Sequence, residues 1–438
     1  MIKKKVREIT KHIADPFERF LRLQSSGGLL LIIATIIAMV WSNSVYSTSY
    51  FAIWEHQLSI NYASFQFSKS LHWWINDGLM AIFFFVVGLE IKREVVAGEL
   101  STAKEAIFPI VGAIGGMLAP IIIFLLVVGN GVPADGWGVP MATDIAFALG
   151  VLSLLGKKVP LALKVFLTAL AIVDDIGALI VIALFYSNEI YWTYLQIAGG
   201  LFVLLFVFNY FNLRIMNVYL LTGIVIWFCF VKSGIHPTIA GVLLALTIPT
   251  SRKIRMDSFI ERANAGLKEF QKAKWPDSKV VLTIPQINAI ETIKESVTKV
   301  QSPIYRLENS LGGFVTKFAM PLFALANASI VFGGGNINYF NQVTLAVGIA
   351  LLLGKVIGIS LFSWISVKLG FAKLPNGVSW IQIIGVGILS GIGFTMSLFI
   401  TNLAFTDDTI INQFKIGIFT SSFLAGLIGF IILKRSLK

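Results

Sequence analysis

Residues 161–186 read LALKVFLTALAIVDDIGALIVIALFY, an apolar stretch with two adjacent carboxylates, Asp174 and Asp175, at its centre. A helix needs about 20 residues to cross the hydrocarbon core of a bilayer, and this stretch is long enough. Its remaining charged residue, Lys164, lies near the start. The stretch therefore predicts a membrane-spanning helix with two ionisable groups near the bilayer midplane.

The whole chain has the composition of a membrane protein. Of its 438 residues, 56% are hydrophobic and 13% are charged, and the mean hydropathy is +0.81, outside the range of ordinary soluble domains. Apolar runs of suitable length predict an all-α polytopic membrane protein with about twelve transmembrane helices. The candidate spans are residues 27–42, 73–91, 106–128, 132–155, 160–185, 192–210, 218–231, 235–249, 311–331, 342–367, 379–401 and 413–433.

Basic residues indicate how these spans are oriented. Lys and Arg concentrate in cytoplasmic loops, and a topology with the N-terminus inside puts most of the 35 Lys and Arg residues on the cytoplasmic side. Both ends, residues 1–26 and 435–438, are then cytoplasmic, with spans one to eight in 27–250 and spans nine to twelve in 307–434. The net charge of +12 follows from this bias and does not indicate nucleic acid. Acidic headgroups of the lipid bilayer fit the same bias.

Three segments outside the spans carry expectations of their own. The charged leader, residues 1–26, is too long for a signal peptide, and no small-residue cleavage site follows the first apolar run. We therefore expect a retained first span that follows either a basic amphipathic surface helix or a solvated tail. The outer loop at residues 43–72 contains the runs FAIWEHQLSI and YASFQFSKSL, which predict a periplasmic β-hairpin whose edge could pair between protomers. Residues 251–306 form a cytoplasmic insert that we expect to be a mobile or partly helical loop rather than a folded domain.

Four ionisable residues fall near the centres of predicted spans: Asp144, Asp174, Asp175 and Lys355. Each costs about 2.5 to 3.5 kcal/mol at a helix centre, so a chain that keeps them is expected to use them. Some could pair only to pack helices, but one lysine satisfies one carboxylate, and the other acids must be protonated or hold a cation. Neighbours on a helix point about 100° apart, so Asp174 and Asp175 face different partners. The pattern indicates a site where protons and a small hard cation compete.

Spans four and eleven are expected to be interrupted. Gly136, Gly138 and Pro140 precede Asp144, and span eleven contains a run of glycines, Gly385, Gly387, Gly391 and Gly393. Glycines are also compatible with close helix packing. However, the two segments share one spacing, which matches Thr143, Ile145 and Phe147 with Ser390, Ile392 and Phe394. Because the two spans run in opposite directions, we predict an inverted repeat with broken helices whose ends meet an ion at the midplane.

Seven motifs resemble those of the NhaA-type sodium/proton antiporters. They are INDGLMAIFFFVVGLEIKRE, ATDIAFALGVLSLLG, LALKVFLTALAIVDDIGALIVIALFY, VKSGIHPTIAGV, MPLFALANA, LLLGKVIGISLF and SGIGFTMSLFI, and the resemblance runs from about Leu23 to Lys434. It implies twelve helices in which spans four and eleven are broken and cross, alternating access, and electrogenic exchange in which more protons enter than sodium ions leave. It also implies a bacterial inner-membrane transporter of Na⁺, Li⁺ and H⁺ that is pH-regulated, forms a homodimer through the outer hairpin, uses no cofactor and is not an enzyme.

The resemblance also assigns roles to residues of the site. Asp175 is similar to the family's main ion-binding carboxylate, and Asp174 to the carboxylate that pairs with a lysine, here Lys355. Thr143 and Asp144 match the broken-helix position beside the site. The resemblance therefore implies that Na⁺ binds at Asp175 together with Asp174 or Asp144.

Further matched positions lie towards the two membrane surfaces. Asp77 matches an acidic position at the outer end of span two, and His236 a histidine near the outer start of span eight. The positions at the cytoplasmic mouth, associated in the family with pH activation, are Glu90, Arg93, Glu94 and Glu308. An ordinary salt-bridged helix end would have the same composition. The insert after Arg252 is longer than in the best-known members, which puts the role of Glu308 in question.

Other classes of protein also place charges in a membrane. A cation-coupled symporter on the same fold would move an organic solute with Na⁺, but a pairing of Asp174 with Lys355 favours proton coupling. An intramembrane aspartyl protease needs two membrane aspartates, but its GxGD-type signature is absent around Asp144 and Asp174. A membrane scaffold would leave the central charges without a use.

Overall fold

A computed structural model of the chain is mostly helical. It describes residues 16–62, 65–98, 100–187, 189–211, 213–273, 282–331 and 341–437, with side chains for all of these except 16–26, 62, 65 and 157. The surface helix considered for residues 1–26 therefore lies largely outside the described residues.

The described residues form eighteen α-helices of eight or more residues. In chain order they are α1 (Pro16–Ser42), α2 (Ser47–Glu55), α3 (Met80–Ala97), α4 (Ala103–Val128), α5 (Ile145–Ser153), α6 (Leu161–Phe185), α7 (Trp192–Tyr210), α8 (Met216–Ser233), α9 (Pro237–Thr247), α10 (Met256–Lys272), α11 (Ile284–Val300), α12 (Pro303–Phe314), α13 (Met320–Asn327), α14 (Gln342–Ile349), α15 (Lys355–Lys368), α16 (Trp380–Leu389), α17 (Phe394–Ala404) and α18 (Asp408–Ser436). A 3₁₀ helix, Val132–Met141, precedes α5, and π-helical turns precede α3, α13 and α15 at Trp74–Leu79, Val315–Ala319 and Ala350–Gly354.

Several helices are long and apolar enough to cross a membrane. Among the described residues six pass by length and composition: α4, α6, α7, α8, the continuous Gln342–Lys368 and α18. The number rises to nine when three bent pairs each count as one span: Gly27–Ser42 with α2, the 3₁₀ helix with α5, and α16 with α17. The predicted spans two, eight and nine coincide with helices that are too charged, too short or interrupted for that test. A count of twelve spans stays a prediction.

The outer loop contains the predicted β-hairpin. Strands β1 (Gln57–Tyr62) and β2 (Phe65–Ser70) pair antiparallel, with Ser59 opposite Ser68. The hairpin is shorter than the two predicted runs, because residues 51–55 are helical and belong to α2. The buried Tyr50 and Trp54 lie one helical turn apart, and the Tyr50 hydroxyl donates to the carbonyl oxygen of Leu325 at 2.7 Å. These tertiary contacts outweigh the β propensity of the aromatic residues.

The described part of the insert at residues 251–306 contains the two helices α10 and α11. Helices α10 and α11 pack against each other at Gly266, where an added Cβ would lie 2.8 Å from Ile293 and 3.2 Å from the carbonyl oxygen of Ala289. Pro285 does not break the structure but occupies the first turn of α11, where its missing N–H has no helical partner. Pro285 therefore marks the start of a helix.

A glycine seam brings α4 and α15 into backbone contact. A Cβ on Gly358 would lie 2.0 Å from the carbonyl oxygen of Gly115, and one on Gly115 would lie 2.3 Å from the carbonyl oxygen of Gly358. Small residues of this kind let helices approach closely in a membrane. The seam lies one turn beyond Lys355, so it fixes the depth at which this lysine enters the bundle.

Gly358→Ala is expected to destabilise the protein, because the new methyl group collides with backbone that cannot rotate away. Overpacking of a tight core costs about 1 to 3 kcal/mol, occasionally more. The measurement is the thermal midpoint of the purified protein in detergent. Gly348→Ala is the matched control, because a Cβ there meets nothing within 4 Å. Equal midpoints for the two variants would contradict the importance of the seam.

Candidate functional site

The two broken helices cross and supply each other's missing backbone partners. Residues 142–144 separate the 3₁₀ helix from α5, and residues 390–393 separate α16 from α17. At the crossing the Asp144 amide donates to the carbonyl oxygen of Ile392 at 2.7 Å, and the Ser397 hydroxyl donates to the carbonyl oxygen of Val139 at 2.9 Å. Broken backbone is tolerated inside a membrane only where such partners exist. The crossing therefore satisfies its own polar groups.

The Asp144 carboxylate caps two helices at once. As the N-cap of α5 it accepts from the Phe147 amide through Oδ1 at 2.9 Å. Its Oδ2 accepts from the amide of Thr395 at 3.1 Å and from the hydroxyl of Thr395 at 2.5 Å, in the first turn of α17. Helix N-termini carry partial positive charge. The fully buried Asp144 thus lies where two helix ends offset a negative charge.

Asp174 and Lys355 form a buried ion pair. Lys355 Nζ lies 2.6 Å from Asp174 Oδ2, and both side chains are fully buried. The Thr143 hydroxyl lies 2.8 Å from the same oxygen and 2.9 Å from the carbonyl oxygen of Ser390, so it can donate to either. The second oxygen of Asp174, Oδ1, has no hydrogen-bond partner within the described residues. The Thr143 hydroxyl therefore links the ion pair to the crossing.

Asp175, the residue next to Asp174, is also buried. Its side chain is 1% exposed, and neither carboxylate oxygen has a hydrogen-bond partner among the described residues. It lines a cavity of about 40 Å³ together with Glu90, Thr143, Asp144 and Thr395. About 10 to 15 Å³ of such space is enough to hold one water molecule. The cavity therefore has room for a small ion or water beside the carboxylate.

Charged residues of α3 and α12 lie at one end of this cavity. Arg93 Nη2 lies 3.0 Å from Glu94 Oε1, and Arg93 Nε lies 3.0 Å from Glu308 Oε2. Glu90, one turn earlier on α3, is buried and lines the cavity itself. The four residues predicted for the mouth are thus brought together, with Glu90 between the ion pairs and Asp175.

Asp77 and His236 lie at the opposite end of the fold, away from this cavity. His236 Nε2 lies 3.3 Å from Asp77 Oδ1. Asp77 lines a second cavity of about 320 Å³, together with His72, Asn76 and Phe399. The structure therefore separates the predicted residues into a central site and two end clusters.

Some contacts at the site were not predicted from the sequence. Thr395 is the partner of Asp144, and the carbonyl groups of Ser390 and Ile392 are acceptors at the crossing. A signal existed, because Thr395 lies only two residues after Gly393, the last glycine of the run in span eleven. α5 begins after Asp144 and α17 begins after Gly393, so these two capping positions correspond in the structure. The sequence alignment of the two segments differs from this structural match by two residues.

Thr395→Val is expected to weaken cation binding, because valine keeps the shape of threonine but removes the hydroxyl that holds Asp144. A hydrogen bond to a charged group contributes about 1.5 to 3 kcal/mol, so the apparent KM for Na⁺ should rise about tenfold or more. The measurement is Na⁺-dependent proton flux in proteoliposomes. Thr395→Ser keeps the hydroxyl and is the control. A valine variant with the KM of the serine variant would contradict this positioning role.

Ionisable groups sealed among apolar helices point to one class of protein. Burial of ionisable groups in a membrane costs free energy, and such groups mark the pathways of ions. The fold and the site therefore define a secondary ion transporter. The family model described as Na+/H+ antiporter 1 matches residues 18–433. The chain belongs to this family, the NhaA antiporters, which are multi-pass membrane transporters and not enzymes.

Curated relatives match nearly the whole chain. The Na(+)/H(+) antiporter NhaA of Oleidesulfovibrio alaskensis is 46% identical and covers 97% of this chain and 94% of its own length. The Na(+)/H(+) antiporter NhaA of Koribacter versatilis is also 46% identical, over 97% and 92%. The Na(+)/H(+) antiporter NhaA 2 of Syntrophotalea carbinolica is 46% identical over 97% of both chains. The predicted family is confirmed, and the alternative of an intramembrane protease is excluded.

Proposed function

We propose that this protein is an electrogenic, pH-regulated antiporter that extrudes Na⁺ or Li⁺ in exchange for H⁺ across a bacterial inner membrane. The observation that carries the proposal is the Asp175 carboxylate, which is buried, faces a small cavity and lacks hydrogen-bond partners within the described ranges. Such a group is stable only when it is protonated or holds a cation. Proton and cation therefore exclude each other at Asp175, which is the elementary requirement of exchange.

Binding of the ion by two carboxylates accounts for net charge movement. We propose that Na⁺ binds at Asp175 together with Asp174 or Asp144. No cluster of three or more His, Cys, Asp or Glu side chains that could hold a metal ion occurs in the part of the chain that the structure describes. The remaining ligands are then hydroxyl groups, carbonyl groups or water. If two carboxylates each release a proton when one Na⁺ binds, every cycle moves net positive charge inwards.

The volume beside Asp175 favours antiport over symport with an organic solute. Pockets for organic ligands usually measure about 300 to 1,000 Å³, whereas the cavity at Asp175 measures about 40 Å³. The larger cavity at Asp77 reaches the lower end of that range, but Asp174, Asp175 and Lys355 do not line it. Only a small ion fits at the buried carboxylate.

Alternating access is supported by two cavities that approach each other along α17. Met396 lines the cavity at Asp175 and Phe399 lines the one at Asp77. Three residues of helix rise about 4.5 Å. We propose that this single turn separates the two sides of the membrane in a fold of twelve spans, with an inverted repeat and both termini cytoplasmic. The cavity at Glu90 then faces the cytoplasm.

We propose that the cytoplasmic cluster regulates transport by pH. Arg93 forms ion pairs with Glu94 and Glu308, and the buried Glu90 lies one turn earlier on α3, so protonation of Glu90 or Glu308 depends on the charges around it. A change in their charge alters the electrostatic potential at the entrance to Asp175. His236 beside Asp77 is a second candidate for the pH response, on the outer side.

We propose that the protein forms a homodimer through its hairpin. Strands β1 and β2 form a two-stranded sheet in the described residues, so each strand has an edge free to pair. Side chains of this hairpin, such as Leu58 and Ile60, are exposed. Pairing of two hairpins would cover these edges.

Transport by the purified protein tests the proposal. In proteoliposomes, an outward gradient of Na⁺ or Li⁺ should drive proton uptake without any organic solute. Valinomycin with K⁺ should accelerate this flux, because it removes the membrane potential that an electrogenic exchanger builds up. Proton movement that requires an added organic solute, or no cation-driven proton movement at all, would refute antiport.

Lys355→Ala is expected to alter the pH dependence of transport or reduce its electrogenicity, because Asp174 loses its buried cationic partner. Removal of one member of a buried pair leaves an uncompensated charge, which costs about 3 to 5 kcal/mol. The measurement is the rate of Na⁺-driven proton flux against pH, with and without valinomycin. The control is Lys268→Ala, at an exposed position of the insert. Electrogenic exchange with an unchanged pH optimum would argue against this role.

A further inference from the structure

The insert helices α10 and α11 expose apolar side chains outside the membrane spans. Exposed apolar residues on the spans face lipid and need no explanation, whereas these helices have a charged composition and are not spans. On α10 the exposed fractions are 51% for Ile260 and 51% for Leu267, and on α11 they are 41% for Ile290 and 38% for Val297. Met256 and Ile287 are also exposed.

Helical spacing puts these side chains in one stripe on each helix. With about 100° per residue, Met256, Ile260 and Leu267 fall within roughly 40° of one another on α10. They lie beside Gly266, which contacts α11, and not on it. On α11 the stripe of Ile287, Ile290 and Val297 likewise borders the packing face, where Ala289 and Ser296 are buried.

The two stripes face the same side of the helix pair. On both helices the exposed stripe lies next to the packing face, on the side of increasing helical angle. The two helices are antiparallel, because Gly266 contacts Ile293 while Lys253 and Lys299 contact each other at the base. In an antiparallel pair, helical angle increases clockwise around one helix and counter-clockwise around the other when both are viewed from one end. Both stripes therefore point to the same side of the pair. Together Met256, Ile260, Leu267, Ile287, Ile290 and Val297 form one surface, called here the insert face.

The ends of the insert hold it next to the bilayer. α9 ends at Thr247 and α10 begins at Met256, while α11 ends at Val300 and α12 begins at Pro303. At the base the amides of Lys253 and Ile254 donate to the carbonyl oxygen of Lys299 at 3.0 and 3.3 Å. These short links keep the base of the helix pair at the end of α9, where a membrane surface is always present.

The charge of the insert suits an anionic surface. Within residues 251–273 and 282–306, nine residues are Lys or Arg and five are Asp or Glu. One of the lysines, Lys294, falls between Ile287 and Ile290 in helical angle, so its amine can reach headgroups while its stem contacts the apolar surface. An apolar face with surplus basic charge is typical of helices that lie in the membrane interface.

We propose that α10 and α11 lie on the bilayer, with the insert face in the headgroup region, and that they bind anionic phospholipid. The helix pair is then a lipid-binding element of the transporter. Its occupant is the bilayer in which the protein resides, and no further protein is required.

Fluorescence quenching by lipid tests this assignment on the full-length protein. Single cysteines are introduced into a Cys229→Ser background and labelled with bimane, at Leu267 and Ile290 on the insert face. Ala265 and Thr292, two residues away on the same helices and also exposed, report the opposite face. Each protein is reconstituted in phosphatidylcholine with or without phosphatidylglycerol, with a doxyl-labelled lipid as quencher.

The expected result is quenching at positions 267 and 290 that exceeds quenching at 265 and 292 about twofold or more, and that weakens without phosphatidylglycerol. Lys294→Gln should weaken the dependence on phosphatidylglycerol, whereas Arg262→Gln, on the polar side of α10, should not. Equal quenching on the two faces would overturn the proposal. Shielding of positions 267 and 290 from aqueous quenchers without lipid quenching would also overturn it, because protein would then cover the insert face.

Discussion

Asp175→Asn is expected to abolish Na⁺-driven proton movement in everted membrane vesicles while the protein remains in the membrane. Asparagine has the size of aspartate but can neither release a proton nor balance a bound cation. Because the Asp175 oxygens accept no hydrogen bond from the described residues, the substitution breaks no structural contact. Loss of activity would therefore report the chemistry of this carboxylate and not a folding defect.

The measurement for Asp175→Asn is the Na⁺-induced change in the pH gradient of the vesicles, normalised to the amount of protein in the membrane. Asp257→Asn is a suitable control, because Asp257 is exposed on the insert, with 87% of its side chain accessible. It should exchange ions like the unaltered protein. Full activity of Asp175→Asn would remove Asp175 from the ion site and with it the central support for the proposed mechanism.

Asp144→Asn is expected to abolish transport as well, but with a structural cost. The Asp144 Oδ2 atom accepts from both the amide and the hydroxyl of Thr395. If the side-chain nitrogen of the asparagine occupies the position of Oδ2, its N–H groups face the N–H group of Thr395, which then has no acceptor. A buried polar group without a hydrogen-bond partner costs about 1 to 3 kcal/mol. If the amide is turned the other way, the Phe147 amide loses its acceptor instead.

Two measurements on Asp144→Asn separate these effects. Vesicle transport should be lost, and the thermal midpoint in detergent should fall below that of Asp175→Asn. A stable variant without transport would limit Asp144 to ion chemistry, and an active but unstable one would limit it to capping. Full activity at normal stability would contradict both roles.

Much of the fold can be predicted from the sequence, because helices that cross a lipid bilayer require long apolar runs of residues. Every predicted span overlaps helical structure in the described residues, since uninterrupted apolar runs have few alternatives in a bilayer. The breaks near Asp144 and Gly393 are also evident, because glycine and proline weaken a helix locally. The cost of a charge at a span centre singled out Asp174, Asp175 and Lys355 before any contact between them was known.

Other features could not be predicted, because they depend on contacts between distant segments. The sequence does not reveal that Thr395 lies against Asp144, since only the crossing of two broken helices brings them together. It also does not reveal that Asp175 lacks donors, because that depends on which side chains of other helices surround it in the bundle. The helical residues 51–55 were not predicted, because the contacts that stabilise α2, such as that of Tyr50 with Leu325, come from a distant segment.

The double cap at Asp144 has a mechanical consequence. Since one carboxylate joins the restarts of α5 and α17, a movement that pulled these helices apart would strip hydrogen-bond acceptors from both ends at once. The rearrangement with the lowest free-energy cost keeps the two helix ends hydrogen-bonded to Asp144 and rotates α5 and α17 together as one unit. We therefore expect the crossing to act as a pivot during transport. The hinges of the movement would then lie at π-helical turns such as Trp74–Leu79, where the regular α-helical hydrogen-bond pattern is interrupted.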